Sequence, residues 1–152
     1  MEIELVNKEE FEEVNVIARQ VHLLHVGWRP DLFKDVEKVI SEELFNEYIE
    51  NKNLYVAKKN GEIVGYMIIY IKEKNSPGVR YRKQLTIEVL AIKDGNRRQG
   101  IGTMLLNFAK NYAKENGCTD LYITVNEENI PAINAYEKFG FKVKNIAYSM
   151  EI

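Results

Sequence analysis

Cysteine is nearly missing from these 152 residues: Cys118 stands alone, so no disulfide can close within the chain, and such usage fits a reducing compartment. Charge of one sign is missing too. Twenty-one basic residues face 23 acidic ones, and the net charge of −2 removes any general electrostatic case for nucleic acid. No apolar run is long enough to span a bilayer; the longest surrounds Val64 to Ile71. The opening Met1-Glu2-Ile3-Glu4 is acidic and short in apolar residues, unlike a signal peptide. The expectation is a cytoplasmic protein with no membrane partner. Repeats, linkers and low-complexity stretches are absent, and apolar residues at 45% suffice for one core, so a single domain over 1–152 is expected.

What is present reads as alternating elements. Glu2 to Val6 alternates as a strand does. Asn7 can cap a helix with Glu10 as its reciprocal partner, and Phe11, Val14, Ile17, Ala18, Val21 and Leu24 follow at helical spacing. Arg29-Pro30 breaks that helix, and a second follows Ser41. Leu54–Lys58 and Ile63–Ile71 are β-rich runs joined by Asn60-Gly61, a strong hairpin signal. Asn75 to Gly78 is another turn, and Arg82 to Ile92 the next strand. An apolar stripe from Ile101 to Ala113 marks a helix ended by Gly117. Leu121 to Val125 is a short strand. Pro131 opens the last helix and Gly140 closes it, leaving Phe141 to Ile152 as a final strand. The order is β-α-α-β-β-β-α-β-α-β. Three consecutive strands between helices argue against pure βαβ alternation, so a mixed α/β (α+β) sheet with helices on both faces is expected.

The segment Arg97-Arg98-Gln99-Gly100-Ile101-Gly102-Thr103 joins a strand to a helix through glycine. The first amides of a helix have no intrahelical partner and carry the positive end of its dipole, and glycine lets a phosphate approach the backbone. A Walker loop would need a lysine and a hydroxyl residue after its last glycine, but Thr103-Met104 follows here. A dinucleotide fingerprint would need a third glycine where Leu105 stands. A pyrophosphate cradle of another kind remains.

The pattern Arg-x-x-Gly-x-Gly resembles the signature of the GNAT superfamily of N-acetyltransferases. A second stretch, Asn129-Ile-Pro-Ala132-Ile-Asn-Ala135-Tyr136-Glu-Lys138-Phe-Gly140-Phe141, is similar to the C-terminal pattern of that family, in the same order and at about its spacing. The resemblance covers roughly Leu54 to Ile152, and the first fifty residues match more loosely. It implies a mixed, mostly antiparallel central sheet with acetyl-coenzyme A as co-substrate. It also implies transfer of the acetyl group to a primary amine of a small-molecule or peptide acceptor, by direct attack in a ternary complex. The cofactor arm would pair with backbone at Leu90, Ala91 and Ile92. The phosphates would rest on amides from Arg98 to Thr103, helped by the side chains of Arg97 and Arg98. Asn129 and Lys138 would lie near the cofactor. Dimerisation is common in the family, so a homodimer is an expectation that no exposed stripe of the sequence demonstrates. The rival class is a non-catalytic module that holds acyl-coenzyme A as a regulatory ligand.

Amine acetylation needs a base for the ammonium and a proton for the departing thiolate. Tyr136 matches the family tyrosine near the coenzyme sulfur and is the candidate acid; the competing reading is a core tyrosine. Glu88 interrupts the apolar run Leu85 to Leu90 and is the candidate base; the competing reading is a solvent-facing position on an alternating strand. Asn129 can cap the helix that carries Tyr136. Lys138 is equally explained as a cation near a helix C-terminus. His22 and His25, three apart, lack further ligands at useful spacing, so no metal is expected. The acceptor itself is left open among protein N-termini, lysine side chains, polyamines, aminoglycosides and amino acids.

Overall fold

Local signals produce the first elements as expected. In the computed structural model, which describes residues 1–152, strand β1 (Glu2–Leu5) leads to Asn7. The Asn7 Oδ1 accepts from the Glu9 amide at 3.1 Å, and the Asn7 amide donates to Glu10 Oε2 at 3.0 Å. This reciprocal cap closes a short 3-10 turn, Lys8–Glu10, which runs into helix α1 (Phe11–Trp28). Ser41 caps helix α2 (Glu42–Glu50) by accepting from the Leu44 amide at 3.1 Å. Strands β2 (Leu54–Lys59) and β3 (Glu62–Lys74) meet at Asn60 and Gly61, both at positive φ, 52° and 78°. Strand β4 (Arg82–Ile92), helix α3 (Ile101–Glu115), strand β5 (Asp120–Ile123) and helix α4 (Ile130–Phe139) complete the order.

The sheet runs β1-β2-β3-β4-β5, with the first three pairings antiparallel and β4–β5 parallel. It is apolar on both faces. One layer joins Val14, Ile17 and Ala18 of α1 and Phe45 of α2 to Leu54, Val56, Ile68 and Ala91. The other joins Leu105, Leu106 and Ala109 of α3 to Met67, Leu85 and Ile87, with α4 supplying Tyr136 and Phe139 at its edge. The expected mixed sheet with helices on both faces is present.

A buried amide fixes the connection between α1 and α2. Asn15 accepts from the Ile40 amide at 2.9 Å and donates to the Ile40 carbonyl at 3.1 Å. Every arm of that clip is satisfied, so the polar group sits in the core at small cost.

The expected closing strand differs from what is found. Phe141 to Ile152 joins no ladder, and the sheet has five strands. The Phe141 amide turns back to the Tyr136 carbonyl at 3.0 Å, and its ring packs on Tyr136 and Phe139. That clamp holds the tail across a cleft from β5. The expected strand Leu121 to Val125 is also shorter in the ladder, Asp120–Ile123.

Candidate active site

The site begins where the sheet splits. Strand β4 pairs with β5 only from Gln84↔Asp120 to Ile87↔Ile123. Beyond Ile87 the chain of β5 turns away through Thr124 to Asn126, while β4 runs on to Ile92, paired on one side with β3. Leu90, Ala91 and Ile92 therefore offer one edge of free backbone groups toward the split. Such an edge accepts an extended chain of amides.

Glu88 stands at the mouth of that split because of a β-bulge. The β3–β4 register passes from Ile68↔Val89 to Ile69↔Ile87, which leaves Glu88 as the extra residue. One extra residue inverts the alternation of faces. Leu85 and Ile87 pack in the α3 layer, whereas Val89 and Ala91 pack in the α1–α2 layer. Glu88 is exposed, not enclosed in the apolar strand. Its charge is felt by Tyr48 of α2. Burial, then the Glu88 and Glu47 carboxylates, push the Tyr48 phenol up to about 12. Tyr66, buried beneath it, is raised by burial and then by Tyr48.

At the end of β4 the chain turns into α3. The Lys93 amide donates to the Val64 carbonyl at 2.8 Å, and the Asp94 amide to Gln20 Oε1 at 2.9 Å, which ties the turn to α1. Arg98 and Gly100 take positive φ, 61° and 81°, and Gly100 serves as the helix cap without a side-chain acceptor. The first amide to find an intrahelical partner is Met104, on the Gly100 carbonyl at 3.0 Å. The amides of Ile101, Gly102 and Thr103 have no acceptor within the chain. A Cβ at Gly100 or Gly102 would meet nothing within 4 Å, so the turn is open beside both glycines. The floor is tight. A Cβ at Gly65 would lie 2.9 Å from the Ala91 carbonyl and 3.3 Å from Ile101 Cγ2. Unpartnered amides, open space and a helix dipole fit an anionic group such as a diphosphate.

The flanking side chains divide. Arg97 is tied to Asp94 at 2.9 Å, whereas Arg98 is exposed with no ion pair in the chain. Gln99 donates weakly to the Gly95 carbonyl at 3.4 Å, Thr103 is exposed, and Ile101 is buried in the core so that only its amide faces out. Asn129 accepts from the Ala132 amide at 3.3 Å and so caps α4. Tyr136 is half-buried in the layer that holds Leu90, Ile92 and Ile101, and burial raises its phenol above the usual value near 10. Lys138 is exposed in the last turn of α4 and touches none of these groups by ion pair or hydrogen bond. His22 meets the Lys34 carbonyl at 2.7 Å, and His25 packs edge-on against Trp28 and Phe33. Both are accounted for by packing.

Three features escaped the sequence reading: the Glu88 bulge, the Gly65 floor and Tyr48. Gly65 had a signal, a lone glycine inside a β-rich run. The bulge had none, since β4 is apolar toward both layers and alternation there carries no register.

The model of the acetyltransferase (GNAT) family matches residues 21–141. An N-alpha-acetyltransferase of Sulfurisphaera tokodaii is 38% identical over 96 residues, 58% of this chain and 55% of that protein. A streptothricin acetyltransferase of Streptomyces lavendulae is 30% identical over 95 residues, 62% of this chain and 47% of that protein. The chain thus spans about half the length of these curated relatives. A solved tetramutant of the BH1408 protein of Bacillus halodurans superposes with a TM-score of 0.94 over 100% of both chains at 22% identity. That likeness is one of fold.

Proposed function

Because the chain belongs to the acetyltransferase (GNAT) family, we propose that it transfers an acetyl group from acetyl-coenzyme A to a primary amine by direct attack in a ternary complex. The carrying observation is the set of unpartnered amides at Ile101, Gly102 and Thr103, set at the end of a strand whose other edge is free. When bound, acetyl-coenzyme A supplies an activated acyl carbonyl. The amides of the turn and the Arg98 side chain hold its diphosphate, and the free edge at Leu90 to Ile92 orients its arm. Glu88, directly or through water, accepts the proton that the acceptor ammonium must lose. The Tyr136 hydroxyl gives a proton to the departing sulfur. A phenol keeps its proton at neutral pH, and burial shifts Tyr136 further in that direction.

The acceptor is a small-molecule or peptide amine. The exposed Glu88 carboxylate supports a cationic one, since a carboxylate attracts an ammonium before taking its proton. Two relatives are named a streptothricin acetyltransferase and an N-alpha-acetyltransferase, so streptothricin and peptides with a free N-terminus belong in the assay panel. The test has two parts. Calorimetry with coenzyme A is expected to give saturable heat, and Gly102→Glu is expected to weaken it at least about tenfold. Thiol release from acetyl-coenzyme A is then measured across an amine panel. No heat at about millimolar ligand overturns the cradle, and tight binding without turnover on any amine favours the regulatory module instead.

A further inference from the structure

The sheet face that carries α1 and α2 is not covered along its whole length. On β3 and β4 that layer reaches no further than Ile68 and Val89. Beyond them the two strands run on together to Lys74 and Arg82, with β5 alongside as far as Asp120. Ile69, Ile71, Leu85, Ile87, Leu121 and Ile123 of this stretch pack in the α3 layer. Their neighbours in sequence therefore point the other way. Tyr70, Thr86 and Tyr122 stand in register across the three strands. Lys72, Gln84 and Asp120 form the next row, and Lys74 and Arg82 the last.

These rows make a trough with a polar floor. Gln84 and Thr86 are buried, and Gln84 Nε2 donates to Asp120 Oδ2 at 3.0 Å. Tyrosines wall it, and each carries a lysine. Lys72 Nζ lies 5.0 Å from the centre of the Tyr70 ring, and Lys144 Nζ, reaching over from the tail, 5.1 Å from that of Tyr122. Lys74 and Arg82 are exposed, and none of these four cations forms an ion pair within the chain. Asp120 is already engaged: burial opposes its charge, but bonds from Thr119 and Gln84, then the charges of Arg82 and Lys144, hold its carboxyl below the ordinary value. At the other end of the trough the sign reverses. Glu88 is exposed at the bulge, and Glu127 and Glu128 are exposed past the end of β5, in the cleft of ≈ 830 Å³ that Tyr122 and Lys144 also line.

We propose that this trough selects the acceptor: the N-terminal amine of a peptide whose following residues are acidic. The assignment rests on the acetyl-transfer reading, which brings the amine to Glu88. Along β4 from Glu88, at a rise of about 3.3 Å per residue, the Thr86 row lies about 7 Å away and the Arg82 row about 20 Å. An extended peptide has the same rise. Carboxylates at roughly its third to seventh residues therefore meet the lysines over the two tyrosines, then Lys74 and Arg82. A single amino acid is too short to reach them, and a polyamine or an aminoglycoside brings the wrong charge. Four unpaired cations on one strand face also draw an acidic chain in from solution.

Two octapeptides with free N-termini test it, one with Asp and Glu from the third residue to the seventh, the other with the matching amides. Fluorescence anisotropy, with the label at the C-terminus, reads the trough apart from the chemistry. The acidic peptide is expected to bind at least about tenfold more tightly, with the difference shrinking at about 0.5 M salt. Thiol release from acetyl-coenzyme A is expected to give the same order in kcat/KM. Replacing the cations together, as Lys72→Gln, Lys74→Gln, Arg82→Gln and Lys144→Gln, is expected to bring both ratios to within about twofold of one. Coenzyme A heat and the circular dichroism spectrum should stay as in the parent. Equal binding of the two peptides by the parent, or a ratio that survives in the variant, overturns the assignment. So does an acidic peptide that binds and is not acetylated while another amine is. Absence of coenzyme A heat in the parent overturns the acetyl-transfer reading instead, and the anisotropy ratio still decides the trough.

Discussion

At the scale of single residues, the sequence offers candidates where a side chain interrupts its surroundings. Glu88 stood out as the one charge in an apolar run, and Tyr136 by its place in a motif. What each faces was not legible, because facing depends on a bulge and on a packed layer that no local pattern encodes. Tyr136→Phe keeps the ring packing against Phe141 and removes only the hydroxyl. If the hydroxyl protonates the leaving sulfur, kcat falls about 100-fold while the KM for acetyl-coenzyme A stays within about twofold. Steady-state kinetics decide, and an unchanged kcat removes the acid role. Burial raises the phenol, so the parent rate is expected to decline only above the ordinary tyrosine value near 10. Glu88→Gln keeps size and exposure and loses the base. Its kcat is expected to drop about 100-fold, with partial recovery at alkaline pH as more amine arrives already neutral. A flat response to pH in that variant would sink the base assignment.

At the scale of elements, boundaries followed caps and turns. The Asn7–Glu10 box, the Ser41 cap and the Asn60-Gly61 hairpin each lie within four residues of chain, so sequence carries them whole. Pairing across distance did not show. The split of β4 from β5 after Ile87 needs both strands and the turn at Asn126, whose Oδ1 accepts from the Glu128 amide at 2.9 Å. Two substitutions test the frame of the split. Gly65→Val drives a side chain into the Ala91 carbonyl 2.9 Å away, under the very strand that borders the site. Overpacking of this kind costs about 1–3 kcal/mol and should weaken coenzyme A binding as well, measured by urea unfolding and calorimetry. Asn15→Ala removes both bonds to Ile40 and leaves a buried amide and carbonyl unpaired. The expected loss is about 1–3 kcal/mol by urea unfolding, with the connection from Arg29 to Ile40 loosened in hydrogen exchange.

For the whole molecule, the order of elements sufficed to give a mixed sheet covered on both faces, and the tail from Phe141 onward was the exception, since it joins no ladder. The two layers share a property no single element reveals: each encloses tyrosines. Burial, helped by Glu88 and Glu47, takes Tyr48 up to about 12 in the α1–α2 layer, and burial beside Tyr112 takes Tyr55 up to about 12 in the α3 layer. In the unfolded chain these phenols release their protons near 10. Between pH 10 and 12 the folded protein therefore holds protons that the unfolded chain has lost. Stability then falls as pH rises, since its slope follows protons bound when unfolded minus protons bound when folded. Below pH 10 both states keep these protons, and this contribution is level. Lys58, held by Glu10 and Glu4, is raised as well and adds a slope of the same sign. The tyrosines are isolated by comparison. Melting followed by circular dichroism from pH 8 to pH 12 should show the parent losing stability more steeply above pH 10 than Tyr48→Phe/Tyr55→Phe does. Both layers should melt in one transition, because every strand from β1 to β4 contributes side chains to the packing around the same sheet. Parallel curves for parent and variant would mean that these phenols titrate alike folded and unfolded, and that the two apolar layers do not enclose them.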